Sequence, residues 1–476
     1  MPASHCDRYS ERMKGEVHVS QITTINPATE ETIAHYDTMS KAEAIETVEA
    51  CHAAFLEWRE TSHEERAGYL RRIAQELRDN ADALARLMTE EVGKLYRDSK
   101  QEVEICAAIF DYTAEHGPKE LADEERRHSG GKKRGLVSFA PVGVIYSIQP
   151  WNFPLYQPVR VLAANLMAGN GVVLKHAGIC TGSGLKLREV CIAAGLPEDL
   201  FQVVIIDHDT SDALIAHDKV RGVTMTGSDG AGRHIGAQAA QALKKQVLEL
   251  GSNDAYLVLE DADVDLAVKT SVIGRLYNNG ETCVSAKRFV VADKVHDEFV
   301  EKFVAAMQDI KLGDPMGDDT DLGPLSSAGQ LDTVREQVER SVAGGATVAC
   351  GGEVSDRTGH YYKATVLTDC VPGTPAHDDE IFGPVAAVIR AKDDEDAMRI
   401  ANDSRYGLGG GIFSRDEDKA VRLARDYFDT GMVRINSFGA ADPNMPFGGV
   451  KDSGFGREHG GFGMKEFVNA KAIYLP

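Results

Sequence analysis

Cys283 closes the segment Asn279-Gly280-Glu281-Thr282-Cys283, and Glu249 lies in Leu248-Glu249-Leu250-Gly251. A thiolate attacks a carbonyl carbon, and the acyl thioester that can follow is released by water that a carboxylate activates. Asn152, in Gln149-Pro150-Trp151-Asn152-Phe153-Pro154, presents one amide side chain from a turn that two prolines hold extended. The other reading of Asn152 is a cap on the helix that follows. Glu281, two residues before the cysteine, either raises the thiol pKa through its charge or is a bystander. The other cysteines, at positions 6, 51, 106, 180, 191, 350 and 370, have no C-x-x-C spacing and no close histidine partners. They read as small buried hydrophobes, and no metal site is expected.

These groups need elements to bring them together. From about residue 40 to 116 the apolar spacing is helical, as in Ala67, Leu70, Ile73, Ala74 and Leu77. Residues 119–134 are highly charged and end in Ser129-Gly-Gly-Lys-Lys-Arg134, an exposed arm or hairpin. From 135 to 260 short β-rich runs alternate with helical ones: Gly143–Ile148, Val172–Leu174, Phe201–Ile206, Gly222–Thr226 and Gln246–Leu250. That alternation predicts a parallel, doubly wound sheet. A second α/β stretch runs from about 251 to 448, with strands at Tyr256–Leu259, Lys287–Val291 and Ala386–Ile389, and two such units imply a cleft.

Open parallel sheets bind ligands beyond the carboxyl ends of their strands, where Asn152, Lys175 and the turn Thr226-Gly227-Ser228-Asp229-Gly230-Ala231-Gly232 all fall. The free amides of that turn suit a phosphate, although the chain has no strict G-x-G-x-x-G and an ordinary strand-to-helix turn reads the same way. Lys175 either reaches a ribose or phosphate or is a solvated strand-end charge.

A chain of 476 residues with 43% apolar content suggests two or three domains. Its 52 basic and 74 acidic residues, net −22, argue against nucleic-acid and anionic-membrane partners. Acidic runs at 314–321 and 392–396 lack calcium-loop spacing and read as a solvated face adapted to high salt. No apolar run approaches membrane-spanning length, and the polar stretch Met1 to Gln21 lacks the core of a signal peptide, so a cytoplasmic protein is expected.

Taken in order, Pro150-Trp-Asn-Phe-Pro154, Leu174-Lys175, Thr226-Gly227-Ser228 with Gly232, Leu248-Glu-Leu-Gly251, Asn279-Gly280 with Cys283, Glu380-Ile-Phe-Gly-Pro384 and Pro446-Phe-Gly-Gly-Val-Lys-Asp-Ser-Gly-Phe-Gly-Arg-Glu458 resemble the aldehyde dehydrogenase superfamily along the whole chain. Gln149–Gln157, Leu174–Ala177, Ala286–Phe289 and Gly454–Glu458 look most like bacterial and archaeal succinate-semialdehyde dehydrogenases. The resemblance implies an α/β fold of two doubly wound parallel-sheet domains with a small β oligomerisation arm. Residues 1–118 and 142–250 would form the NAD(P)-binding domain, 251–448 the catalytic domain, and 119–141 with 460–476 the arm and tail. It also implies a homodimer or homotetramer, with the apolar tail Ala472–Pro476 pairing as an edge strand.

In that family's chemistry Cys283 would be the nucleophile and Glu249 the general base for deacylation. Asn152 and the Cys283 N–H would form the oxyanion hole. Pro150, Trp151, Lys175, Gly178, Gly227, Ser228, Gly232, Leu250, Glu380 and Phe382 would line the cofactor site. Many NAD-selective members carry Glu where this chain has Gly178, which leaves either NAD or NADP open. Glu281 departs from the family's usual Gln.

The implied reaction is NAD(P)-dependent oxidation of succinate semialdehyde to the acid through a thiohemiacetal and a thioester. Another small or ω-carboxylated aldehyde is the alternative. Arg160, eight residues after Asn152, would meet the substrate carboxylate from a helix lining the tunnel, or else be a helix-surface or interface arginine. Tyr277 stands where some relatives place a second arginine. A thiol protease would need a histidine base that no segment singles out. A CoA-acylating enzyme usually lacks the glutamate at 249, and a non-catalytic binding protein on the same fold predicts loss of Cys283, Glu249 or Asn152, all of which are present.

Overall fold

The computed structural model describes residues 20–129, 131 and 133–476. The polar start of the chain, with Cys6, lies outside them, as do Gly130 and Lys132 of the charged arm.

Two sheets and an arm carry the fold. In the six-stranded sheet, Lys245–Glu249, Val220–Thr226, Val144–Gln149, Gly171–His176 and Phe201–Val203 run parallel in that spatial order. Most residues of the central strands are buried on both faces, which is why these segments read as near-continuous apolar runs. The strand beginning at Phe201 is shorter than the apolar run suggests, because the chain turns towards the helix His208–Ala216, whose N-cap is Asp207.

The seven-stranded sheet has the order Thr347–Cys350, Thr365–Thr368, Val385–Ala391, Arg288–Ala292, Ala255–Val258, Gly410–Phe413 and Arg434–Ile435, parallel except at the first pair. Sequence patterning misses Gly410–Phe413, since its glycines carry no strand propensity. Packing demands them: a Cβ on Gly411 would fall 2.4 Å from the Tyr256 ring. After the second sheet the chain returns to the first, where Gly454–Phe455 pairs antiparallel with Lys245–Glu249.

Glu124–His128, Lys133–Pro141 and Val468–Tyr474 form a separate three-stranded antiparallel sheet. The tail strand thus begins four residues earlier than the apolar ending suggests. A further hairpin, Gln21–Ile25 with Thr32–Asp37, was not anticipated. Helices Lys41–Trp58 and His63–Asp79 begin with full capping boxes, Ser40 with Glu43 and Ser62 with Glu65. The acidic run at 392–396 has a local task as well as solvation: Asp393 caps the helix Asp394–Asn402, accepting from the Asp396 N–H at 2.9 Å. Among the described residues no helix is long and apolar enough to cross a membrane.

Candidate active site

The segment before Cys283 is held in an uncommon backbone shape. Helix Val264–Leu276 runs into Tyr277–Gly280, where Asn278 (φ 54°), Asn279 (φ 57°) and Gly280 (φ 78°) are all left-handed. Asparagine visits this region more readily than most residues, yet three in succession need outside support. Asn279 supplies it: its amide donates to the carbonyls of Gly93 and Pro324, both at 3.0 Å, and accepts from the Gly323 N–H at 2.8 Å. Asn278 donates to the carbonyls of Asn152 (2.8 Å) and Glu281 (3.1 Å), tying the cysteine loop to the Pro-Trp-Asn turn. A Cβ on Gly280 would lie 2.4 Å from the Gly383 carbonyl, so the loop can sit against Gly383 only with glycine there.

Asn152 does not cap a helix. Its Nδ2 donates to the Glu281 carbonyl at 3.1 Å, and its Oδ1 accepts from Gln157 at 3.3 Å. The helix Tyr156–Ala168 is instead started by Glu102, whose carboxylate accepts from the N–H groups of Leu155 (2.8 Å) and Tyr156 (2.9 Å). Lys94 forms a fully buried ion pair with Glu102 and lies over the Phe153 ring at 3.7 Å. Neither charged residue stands out in the sequence, because nothing local signals that they meet.

Two cavities share Cys283, which is partly exposed. The larger, about 230 Å³, is walled by Pro150, Trp151, the turn Thr226-Gly227-Ser228, Leu250, Glu380 and Phe382, with Asn152 at its inner end. Trp151 meets Phe382 edge-on at 5.6 Å. Gln330 donates to the Phe382 carbonyl (2.6 Å) and Gln337 to the Glu380 carbonyl (2.9 Å), so two glutamines that no local pattern marks fix this loop. The smaller cavity is mainly apolar, with walls from Phe153, Tyr156, Tyr277, Val284 and Phe447, and Glu102, Gln157 and Thr282 also line it.

The remaining sequence candidates divide between the wall of the larger cavity, where Ser228 lies, and positions outside it. Ser228 caps the helix Asp229–Gln241, accepting from the Ala231 N–H at 3.3 Å. Gly232 is required by contact, since a Cβ there would come 2.4 Å from the Leu250 side chain. Lys175, partly buried at the end of its strand, lies outside the cavity wall, and burial lowers its pKa. Gly178 opens a short turn beside Ile22, 3.3 Å from where its Cβ would be, and is likewise outside the wall. A dinucleotide fits this architecture: a strand-to-helix turn offers amides, an indole and a phenyl ring form flat walls, and Glu380, whose Oε1 faces Lys287 at 3.2 Å, contributes a carboxyl group to the wall.

Two buried carboxyl groups, Glu249 and Glu458, lie outside the walls of both cavities. Glu249 is 2% exposed, and neither of its oxygens accepts a hydrogen bond among the described residues. Burial, then the charge of Glu458, holds its pKa well above the usual carboxylate range, against the pull of Arg160 and Arg457. Gly448 makes room for it: a Cβ there would approach Glu249 Oε1 to 2.8 Å.

Arg160 corrects the sequence reading on both counts. It is neither a surface residue nor a tunnel-lining one, being 2% exposed and absent from the walls of both cavities at Cys283. Its guanidinium pairs with Glu458 at 2.6 Å, donates to Thr226 Oγ1 at 2.7 Å and lies over the rings of Phe447 (4.9 Å) and Tyr156 (5.4 Å). Glu458 outcompetes open space for a buried cation, so Arg160 sits one side-chain layer behind the apolar cavity. Tyr277, in contrast, is in that cavity's wall.

Burial pushes the Cys283 thiol up to about 12; Arg160 and Lys287 pull it down, while Glu380 and Glu249 oppose them. Glu281 is not among the charges that dominate this shift. Its carboxyl turns away to accept from the Ser326 N–H at 3.0 Å, and burial raises its own pKa to about 8. The arrangement can place a carbonyl between a thiol, an amide donor and a buried carboxyl group that becomes a strong base once deprotonated.

The chain matches the Aldehyde dehydrogenase family over residues 15–473. It is 42% identical over 450 residues to a succinate-semialdehyde dehydrogenase [NADP(+)] from Deinococcus radiodurans, covering 94% of each chain. It superposes with a TM-score of 0.93 and 38% identity on succinic semialdehyde dehydrogenase from Streptococcus pyogenes in complex with NADP+, covering 96% of this chain and 100% of that one. Betaine aldehyde dehydrogenase from Staphylococcus aureus in complex with NAD+ gives a TM-score of 0.92 at 31% identity, covering 96% and 91%.

Proposed function

Because this chain belongs to the aldehyde dehydrogenase family, we propose that it oxidises succinate semialdehyde to the free acid with NADP or NAD, using Cys283 as nucleophile. The observation that carries the reading is the position of Cys283 at the junction of a cavity with a dinucleotide's features and a small apolar one.

In this reading the Cys283 thiolate attacks the aldehyde carbon. The resulting oxyanion is met by the Asn152 amide and the Cys283 N–H, which stabilise charge that exists only in the adduct. Asn152 can turn to it by giving up its bond to the Glu281 carbonyl. When bound, the nicotinamide supplies the hydride acceptor, and Trp151, Glu380 and Phe382 would hold that end of the cofactor. Glu249 then takes a proton from water as that water attacks the thioester, and Cys283 leaves as the thiolate. Gly178 presents no carboxylate to repel a ribose 2′-phosphate, which supports use of NADP.

The substrate's far carboxylate would enter the apolar cavity, whose walls hold no cation among the described residues. Arg160 serves it only by exchanging Glu458 for the substrate. Steady-state assays of succinate semialdehyde and hexanal with each cofactor, with acid production as readout, test the function. No nicotinamide reduction with any aldehyde refutes it. Arg160→Ala is expected to raise KM for succinate semialdehyde far more than for hexanal; equal changes would confine Arg160 to holding Glu458. The separate three-stranded sheet, with Tyr474 73% exposed, supports assembly as a homodimer or homotetramer, which light scattering of the purified protein would resolve.

A further inference from the structure

Ala286-Lys287-Arg288-Phe289 helped to mark the resemblance, yet none of the proposed roles uses Lys287. Its ammonium is 3% exposed and donates to the carbonyls of Cys283 (2.6 Å) and Thr282 (3.1 Å) and to Ser252 Oγ (2.8 Å). Glu380 Oε1 faces it at 3.2 Å. An ammonium has three donors and is costly to bury, so this one is fully engaged and fixed in place.

We propose that Lys287 is a positioning residue that acidifies the Cys283 thiol and strengthens the N–H donor of the same residue. Two features of the geometry carry this, and it rests on the reading of Cys283 as nucleophile. The Thr282 carbonyl and the Cys283 N–H belong to one peptide unit. That carbonyl accepts from Lys287, from Ser285 Oγ at 2.8 Å and from the Ser285 N–H at 3.2 Å. Loading the oxygen of an amide polarises its N–H, the group that would face the oxyanion. The cation also stands beside the nucleophile's backbone in a water-poor site, where its field is weakly screened. The charges acting on the thiol are Arg160 and Lys287, which favour the thiolate, and Glu380 and Glu249, which oppose it. Lys287 alone among them touches the Cys283 backbone directly. Glu380 partly cancels its field, so removing the two partners should shift the thiol in opposite directions.

The test reads alkylation of Cys283 by iodoacetamide against pH, localised by mass spectrometry, without aldehyde or cofactor. Lys287→Met is expected to alkylate about tenfold more slowly below the midpoint, a rise of about one pH unit, and Lys287→Arg to return to within about threefold of wild type. Glu380→Gln is expected to alkylate faster. If Lys287→Met does not fold, Lys287→Met in the Glu380→Gln background removes the ion pair as a unit and must slow alkylation relative to Glu380→Gln alone. An unchanged pH profile in the folded Lys287→Met protein, or in the double variant against Glu380→Gln, overturns the proposal. Aldehyde oxidation is assayed separately: a protein with the expected alkylation shifts but no dehydrogenase activity would fault the proposed function and leave the role of Lys287 standing.

Discussion

Lys287 and Glu249, two charged groups that act on the Cys283 thiol, are buried in surroundings that satisfy them in different ways. Around Lys287 and the Asn278-Asn279-Gly280 turn, donors meet acceptors at 2.6–3.1 Å, and the left-handed backbone is clamped from three sides. Around Glu249 a carboxyl group is buried without a hydrogen bond and beside a second carboxyl, Glu458. Saturated polar networks fix geometry, whereas an unsatisfied, titration-shifted group stays able to change its proton. The contrast teaches that a network that fixes geometry and a group able to change its proton both lie within electrostatic reach of one thiol.

The largest break in that contrast comes from Glu249→Gln. It keeps the shape but removes the base, so kcat should fall about 10²–10⁴-fold while a single-turnover burst of reduced cofactor survives. Loss of the burst as well would give Glu249 a part in acylation. Asn152→Ala attacks the geometric side, and rapid-quench measurement of acylation should find it about 10²-fold or more slower. A full-rate acylation step would remove Asn152 from the oxyanion site.

Glu458→Gln sharpens the proton-transfer side. Taking away the charge that helps to raise the Glu249 pKa should move the rising limb of deacylation to lower pH, with about tenfold faster deacylation on that limb per unit moved. An unmoved limb would mean that burial alone sets the Glu249 pKa. Glu281 is expected to act on stability rather than on rate. Its folded pKa, about 8, lies above the reference 4.5, so its contribution to stability is complete below about 4.5 and is lost progressively as pH rises from there through 8. Glu281→Gln should therefore gain up to about 4 kcal/mol over wild type in urea unfolding at pH 9 relative to pH 5. Parallel stability curves for the two proteins would contradict this.

The turn around Asn152, the glycines at 227 and 232 and the cysteine loop all sit where a strand or helix ends, so local patterning marks the positions, but it leaves a helix cap or an ordinary turn equally open; only the resemblance carried by the order of the motifs gives these residues roles. Arg160 is singled out by the resemblance, which offers it to a substrate carboxylate, but one chain position could not reveal that Glu458, nearly 300 residues later in the chain, pairs with its guanidinium. Glu102, Gln330, Gln337 and Gly448 escaped for a similar reason, because each acts on a loop remote from it in sequence.

The sequence by itself determined the alternating strand and helix frame and the reactive residue types, because side-chain periodicity and turn chemistry are local properties. Only the tertiary structure decided which charge faces which: that Glu281 turns to Ser326, that Lys287 lies against the Cys283 backbone and that Arg160 stands behind the cavity wall. Those outcomes depend on burial and on partners brought in from distant segments. The same carboxylate or ammonium has a different pKa and a different task according to what the fold packs beside it.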